Sequence, residues 1–158
     1  MVLNQAHDSD GLWLGHTGRL VLQVWGSNVV ESDIVAVGGL FRRLSAESAG
    51  LLATVSIIRP KSLPKISPEV RRLVDEMTKQ NVDSVGASAN IVEGSGFIAA
   101  GARAILTGML IFDKKTRTFS SVQDAVKWIQ GMALMPMDGA QMTEAIEEAR
   151  SRATRQGG

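Results

Sequence analysis

The residues best equipped for chemistry gather between positions 59 and 72. Arg59, Lys61, Lys65, Arg71 and Arg72 stand there against one acid, Glu69, and Arg42 and Arg43 come shortly before. Ser62 and Ser67 are hydroxyls set among these cations. A helix N-terminus presents free backbone N–H groups, and cations beside it complete a plausible anion site. Ser62, Ser67, Arg59, Lys61, Lys65 and Arg71 therefore form a candidate anion-binding or phosphorylation region. A plainer reading competes with it. Charge runs usually mark solvated loops and helix faces, and Ser67 ahead of Pro68 and Glu69 is a helix cap worth roughly 1 kcal/mol.

Other chemistries have weaker footing. His7 and His16 are the only histidines, and Asp8 and Asp10 offer no diagnostic metal-ligand spacing beside them. A Ser/His/Asp set can be drawn on paper, but no G-x-S-x-G elbow occurs. Glu93-Gly94-Ser95-Gly96 lacks both the G-x-G-x-x-G pattern and a P-loop lysine, so it reads as a turn and helix cap. Carboxylates such as Glu93 and Asp113 are scattered. With no cysteine there are no disulfides, thiolate metal sites or cysteine nucleophiles. No catalytic residue, metal or cofactor is expected, and the chain is not expected to be an enzyme.

Lys plus Arg total 17 against 16 for Asp plus Glu, a formal net charge of +1. That balance gives no general attraction to nucleic acid or anionic membranes, and the basic region lacks aromatic interleaving. The N-terminal residues are polar, without a basic segment leading into an apolar run, so no secretory signal is expected. The most apolar stretch, Phe97 to Phe112, is 16 residues with Arg103 inside it, short of the roughly 20 a membrane span needs. A soluble, cytoplasmic protein without stable membrane insertion is expected.

The elements that must position these residues alternate. Leu12–Gly18 and Arg19–Gly26 read as two strands of an antiparallel hairpin turning at Gly18. A helix follows to about Ser45, with Ser27 or Ser32 as N-cap and Ile34, Val37, Leu40, Phe41 and Leu44 on one face. Gly38-Gly39 inside it costs on the order of 1 kcal/mol per glycine. Leu51–Ile58 is a buried central strand, and Ser67-Pro68-Glu69 opens a second helix. Ser84–Ile91 is a strand, Phe97–Ile111 an apolar helix, and Phe119 marks a brief last strand. Ser121-x-x-Asp124 caps a helix through Val126 and Ile129. A final helix covers 140–152. Residues 1–11 are expected to be a flexible N-terminus, 12–152 one α/β domain with a mixed, mostly parallel sheet, and 153–158 a polar tail.

The order β-β-α-β-α-β-α-β-α, with an added C-terminal helix, resembles the SpoIIAA-like fold of STAS domains and their relatives. The nearest local likeness is Phe119-Ser120-Ser121-Val122-Gln123-Asp124-Ala125-Val126-Lys127-Trp128-Ile129, similar to that family's late strand and capped helix with Trp on the core side. The resemblance implies the fold and a role in regulatory protein contacts. Anti-sigma antagonists of the family carry a phosphorylatable Ser within Asp-Ser-Ser or Asp-Ser-Gly. Here Ser62 and Ser67 lie in the matching loop with no acid before either, so that switch does not carry over.

The leading expectation is a non-catalytic protein-interaction or regulatory module, with an unidentified protein partner and capable of forming a homo-oligomer. Met132, Met135, Met137, Met142 and Ile146 form a candidate partner interface, since Met suits adaptable surfaces, though it also fills irregular cores. The alternative is a carrier or sensor of a small apolar or lipid-like ligand, held between the sheet and the helices Phe97–Phe112 and Gln123–Met132. An enzyme ranks last.

Overall fold

A computed structural model describes residues 2–59, 65–92 and 115–156. The Phe97–Ile111 helix, the Glu93–Gly96 turn, Asp113, Lys61 and Ser62 lie outside the described residues. Six strands form one sheet in the order β1-β2-β3-β4-β5-β6. They are β1 Asn4–Asp8, β2 Leu12–Thr17, β3 Leu20–Trp25, β4 Leu52–Ile58, β5 Val85–Val92 and β6 Thr116–Phe119. The first three pair antiparallel, and β3 through β6 pair in parallel. The described helices are α1 Glu31–Glu47, α2 Pro68–Asn81, α3 Val122–Gly131 and α4 Gly139–Gln156.

Strand periodicity explains the two layers. Successive side chains point to opposite faces, so Val21 and Trp25 of β3 join α1 and α2, whereas Leu20, Leu22 and Val24 join α3 and α4. The central strands are covered on both sides, which is why β3, β4 and β5 are buried throughout. A polar row crosses the apolar interior. Gln23 donates from Nε2 to Thr54 Oγ1 at 2.7 Å, and Ser56 stands between Gln23 and Asn90 in register.

The helix starts follow the capping chemistry read from the sequence, with one exception. Ser67 Oγ accepts from the Val70 N–H at 3.2 Å and Ser121 Oγ from the Asp124 N–H at 3.2 Å. For α1 neither Ser27 nor Ser32 is the cap. Val30 occupies that position without a side-chain bond of its own, and Asp33 reaches back to its N–H.

Both ends of the chain are more structured than the sequence suggested. Residues 1–11 contain β1, a polar edge strand with a bulge between Gln5 and His7. Its side chains carry no alternating apolar signal, because its hold comes from the backbone ladder and from polar contacts. Trp13 Nε1 donates to Gln5 Oε1 at 3.0 Å, and Arg152 donates to the Leu3 carbonyl at 3.1 Å. At the other end α4 runs on to Gln156, with Ala153 buried against the sheet, instead of stopping at 152. Its start is a reciprocal capping box: Asp138 Oδ1 accepts from the Gln141 N–H, and Gln141 Oε1 from the Asp138 N–H.

The glycine pair in α1 divides into two roles. A Cβ on Gly38 would stand 3.2 Å from Met77 Cγ of α2, so the absence of a side chain lets the two helices close. A Cβ on Gly39 would meet nothing within 4 Å. Gly39→Ala should therefore stabilise the protein by about 0.5–1 kcal/mol in denaturant unfolding, while Gly38→Ala should gain less or lose. Equal gains from both would contradict the close α1–α2 approach.

Candidate functional site

The structure draws polar groups together at the carboxyl end of β3 and β4, and their organising member is Asp33. This residue is fully buried. Its Oδ1 accepts from Ser9 Oγ at 2.6 Å and stands 2.7 Å from His7 Nε2, and its Oδ2 accepts from the Val30 N–H at 2.9 Å. A buried carboxylate is tolerated only when paired and hydrogen-bonded, and here the donors come from β1, the β1–β2 turn and the entry to α1. Asp33 also lies in the first turn of α1, where the helix dipole favours negative charge.

Ser9 is equally committed. Its hydroxyl donates to Asp33 and accepts from the Gly11 N–H at 3.1 Å and the Leu12 N–H at 3.2 Å. A hydroxyl has one donor and two acceptor sites, so all are used. The turn closes through Ser9 N–H to the Leu12 carbonyl, and Gly26 N–H donates to the Gly11 carbonyl at 2.8 Å. The backbones approach so closely that a Cβ on Gly26 would overlap the Asp10 carbonyl oxygen, and one on Gly11 the Asn28 carbonyl oxygen.

Beside this latch opens a pocket of about 430 Å3. Asp8, Ser9 and Asp10 form one wall, Ser27 and Asn28 continue it beyond β3, and Arg59 stands where β4 ends. Leu12, Trp13, Val24 and Ala153 supply the apolar surface. Arg59 donates to Thr154 Oγ1 at a long 3.4 Å, and its buried Nε has no hydrogen-bond partner.

The residues singled out in the sequence disperse around this centre. Arg59 lines the pocket. Lys65 is exposed and pairs through its backbone with the Ser27 carbonyl at 2.9 Å, so the chain returns beside the pocket after β4. Ser67 acts as the α2 cap, and Arg71 is exposed on α2 and does not line the pocket. Arg72 pairs with Glu76 at 2.8 Å within the same helix. The candidate interface also divides. Met142 and Ile146 are 2% and 0% exposed, buried under the sheet by α4, so they are unavailable to a partner. Met135 and Met137 are partly buried against the same core, and Met132 is exposed. The apolar periodicity of α4 was satisfied within its own domain.

Asp8, Ser9, Asp10 and Asp33 were not picked out as a site. The local signal was Val30-x-x-Asp33, a reversed half of a capping box, and its long-range partners leave no pattern. Among the described residues no cluster of His, Cys, Asp or Glu could hold a metal ion, and no helix is long and apolar enough to cross a membrane.

The fold places the chain in a class, α/β domains with a six-stranded mixed sheet. No protein-family model matches the chain, and no curated protein matches it.

Removing the latch should cost more than any single contact suggests, because it strands several donors. Asp33→Ala is expected to lower the unfolding free energy by about 2–4 kcal/mol and His7→Ala by about 1 kcal/mol. Urea unfolding of both variants checks this, and a loss at Asp33 no larger than at His7 would refute the shared-acceptor account.

Proposed function

We propose that this chain is a non-catalytic interaction or regulatory module of SpoIIAA-like kind, working through the carboxyl end of its sheet. The observation that carries the reading is the wiring of Ser9, His7 and Asp33. In a nucleophilic triad the imidazole faces the hydroxyl and takes its proton. Here serine and histidine both face the carboxylate, and the serine oxygen has no free acceptor site. These groups hold a surface in shape. The exchangeable part is the pocket beside them, which Arg59 lines.

Strand order supports the finer comparison. A hairpin, β2–β3, leads into parallel strands, and β6 leads into a helix capped by Ser121, with Phe119 and Trp128 ring centroids 5.6 Å apart. Trp128 is partly buried, and Arg117 lies over its ring. The apolar-carrier alternative gains no such support on the α3 side, where Ala53, Val55, Ala87, Ala89 and Ile91 share one packed core with α3 and α4.

Affinity capture from the source cells tests the proposal, using wild type, Arg59→Glu and the distant control Arg72→Glu. A partner that binds wild type and Arg72→Glu saturably, yet is lost with Arg59→Glu, is the expected result. Identical capture by all three, or ester or amide turnover abolished by Ser9→Ala, would overturn it.

A further inference from the structure

We propose that the pocket at the sheet's end is a receptor site for a small zwitterion, one with an ammonium at one end and a carboxylate at the other. The inference rests on the reading of this pocket as the exchangeable site, and goes beyond it by assigning the ligand's chemistry.

Charge placement carries the argument. Asp8, Asp10 and Arg59 all line the pocket, so it holds charges of both signs. Neither carboxylate has a hydrogen-bond or ion-pair partner among the described residues, and Arg59 pairs with no acid there. Its Nε is buried and unpartnered. Asp8 and Arg59 share the pocket without forming an ion pair, and the sheet separates their backbones. Asp8 ends β1 and Arg59 follows β4, with β2 and β3 between them. Three strand spacings separate the backbones of Asp8 and Arg59 by about 14 Å.

The pocket floor is backed by the apolar core. Trp13, Val24 and Ala153 are buried hydrophobic residues at the pocket. The Trp13 ring is held over Gly15 by its Nε1 bond to Gln5, so the residue stands as a fixed, buried support behind the pocket. The volume, about 430 Å3, falls within the range of small-ligand pockets. The Asp33 latch fixes the acidic wall before any ligand arrives, which spares binding the cost of ordering that loop.

The test uses ε-aminocaproate, with caproate and hexylamine as probes carrying one pole each, measured by calorimetric titration of the full chain. ε-Aminocaproate should bind saturably and about tenfold or more tightly than either single-pole probe, the difference one charge-assisted contact makes. Arg59→Gln should abolish its advantage over hexylamine, and the pair Asp8→Asn with Asp10→Asn should abolish its advantage over caproate. Circular dichroism melts confirm that these near-isosteric variants remain folded.

No saturable binding of ε-aminocaproate, equal binding of hexylamine, or unchanged preferences in the variants would overturn the assignment. The two proposals fail separately. Loss of a protein partner in Arg59→Glu without zwitterion binding rejects this inference alone. Pole-selective binding with identical capture by all variants upholds it and rejects the interaction reading.

Discussion

A carboxylate without solvent is a demanding thing to bury, and Asp33 sets the terms for one end of this fold. The desolvation cost runs to several kcal/mol and is offset only by donors that point at both oxygens. Those donors come from residues 7, 9 and 30, which belong to an edge strand, a turn and a helix entry. None of the three segments supplies enough alone. The carboxylate is accommodated only once β1 has paired with β2 and α1 has docked, so a short polar strand becomes part of the cooperative unit. The same constraint presses the turn onto the backbone at Gly26, where only a residue without a Cβ fits.

This arrangement separates two populations of charge. Asp33 is hydrogen-bonded by His7, Ser9 and the Val30 N–H, and Arg72 with Glu76, and Arg152 with Glu148, are pairs along helices of the kind that contribute a few tenths of a kcal/mol. Asp8, Asp10 and Arg59 are different: they border a cavity and balance nothing in the described residues. Asp10 is exposed and Asp8 and Arg59 are partly so, hence solvent accommodates their charges without an ion pair. Their shared place at the pocket is what the proposed ligand site rests on.

Legibility in the sequence followed the range of the interactions. Alternation and 3–4 spacing are local, so β2 through β6 and the buried faces of α1 and α4 could be read, and so could the caps at Ser67 and Ser121. The Asp138–Gln141 box is equally local, but it sits at the end of a Met- and Pro-containing stretch that reads as a break. β1 could not be read, since Asn4-Gln5-Ala6-His7-Asp8 has neither apolar alternation nor β-branched residues. The methionines misled for a related reason: helical periodicity shows that a face is covered without showing by what. The pocket was beyond reach altogether. It is assembled from residues 8–13, 24–28, 59 and 153, and no spacing in one chain announces such a meeting.

Topology explains why that meeting occurs at this end of the sheet. β3 and β4 run in parallel and finish side by side, and antiparallel β2 begins there. Three connections therefore diverge from one edge and leave a crevice, the usual place for ligands in open α/β sheets. The opposite end has no such freedom. Gly18-Arg19 joins β2 to β3 in a two-residue turn, and the Arg19 side chain reaches the Leu51 carbonyl and covers Gly50. Leu134 closes over Gly86 nearby. One end of the sheet is thus sealed by short connections and side chains. At the other end the Asp33 hydrogen bonds fix the turn beside the pocket, and among the described residues Asp8, Asp10 and Arg59 line it.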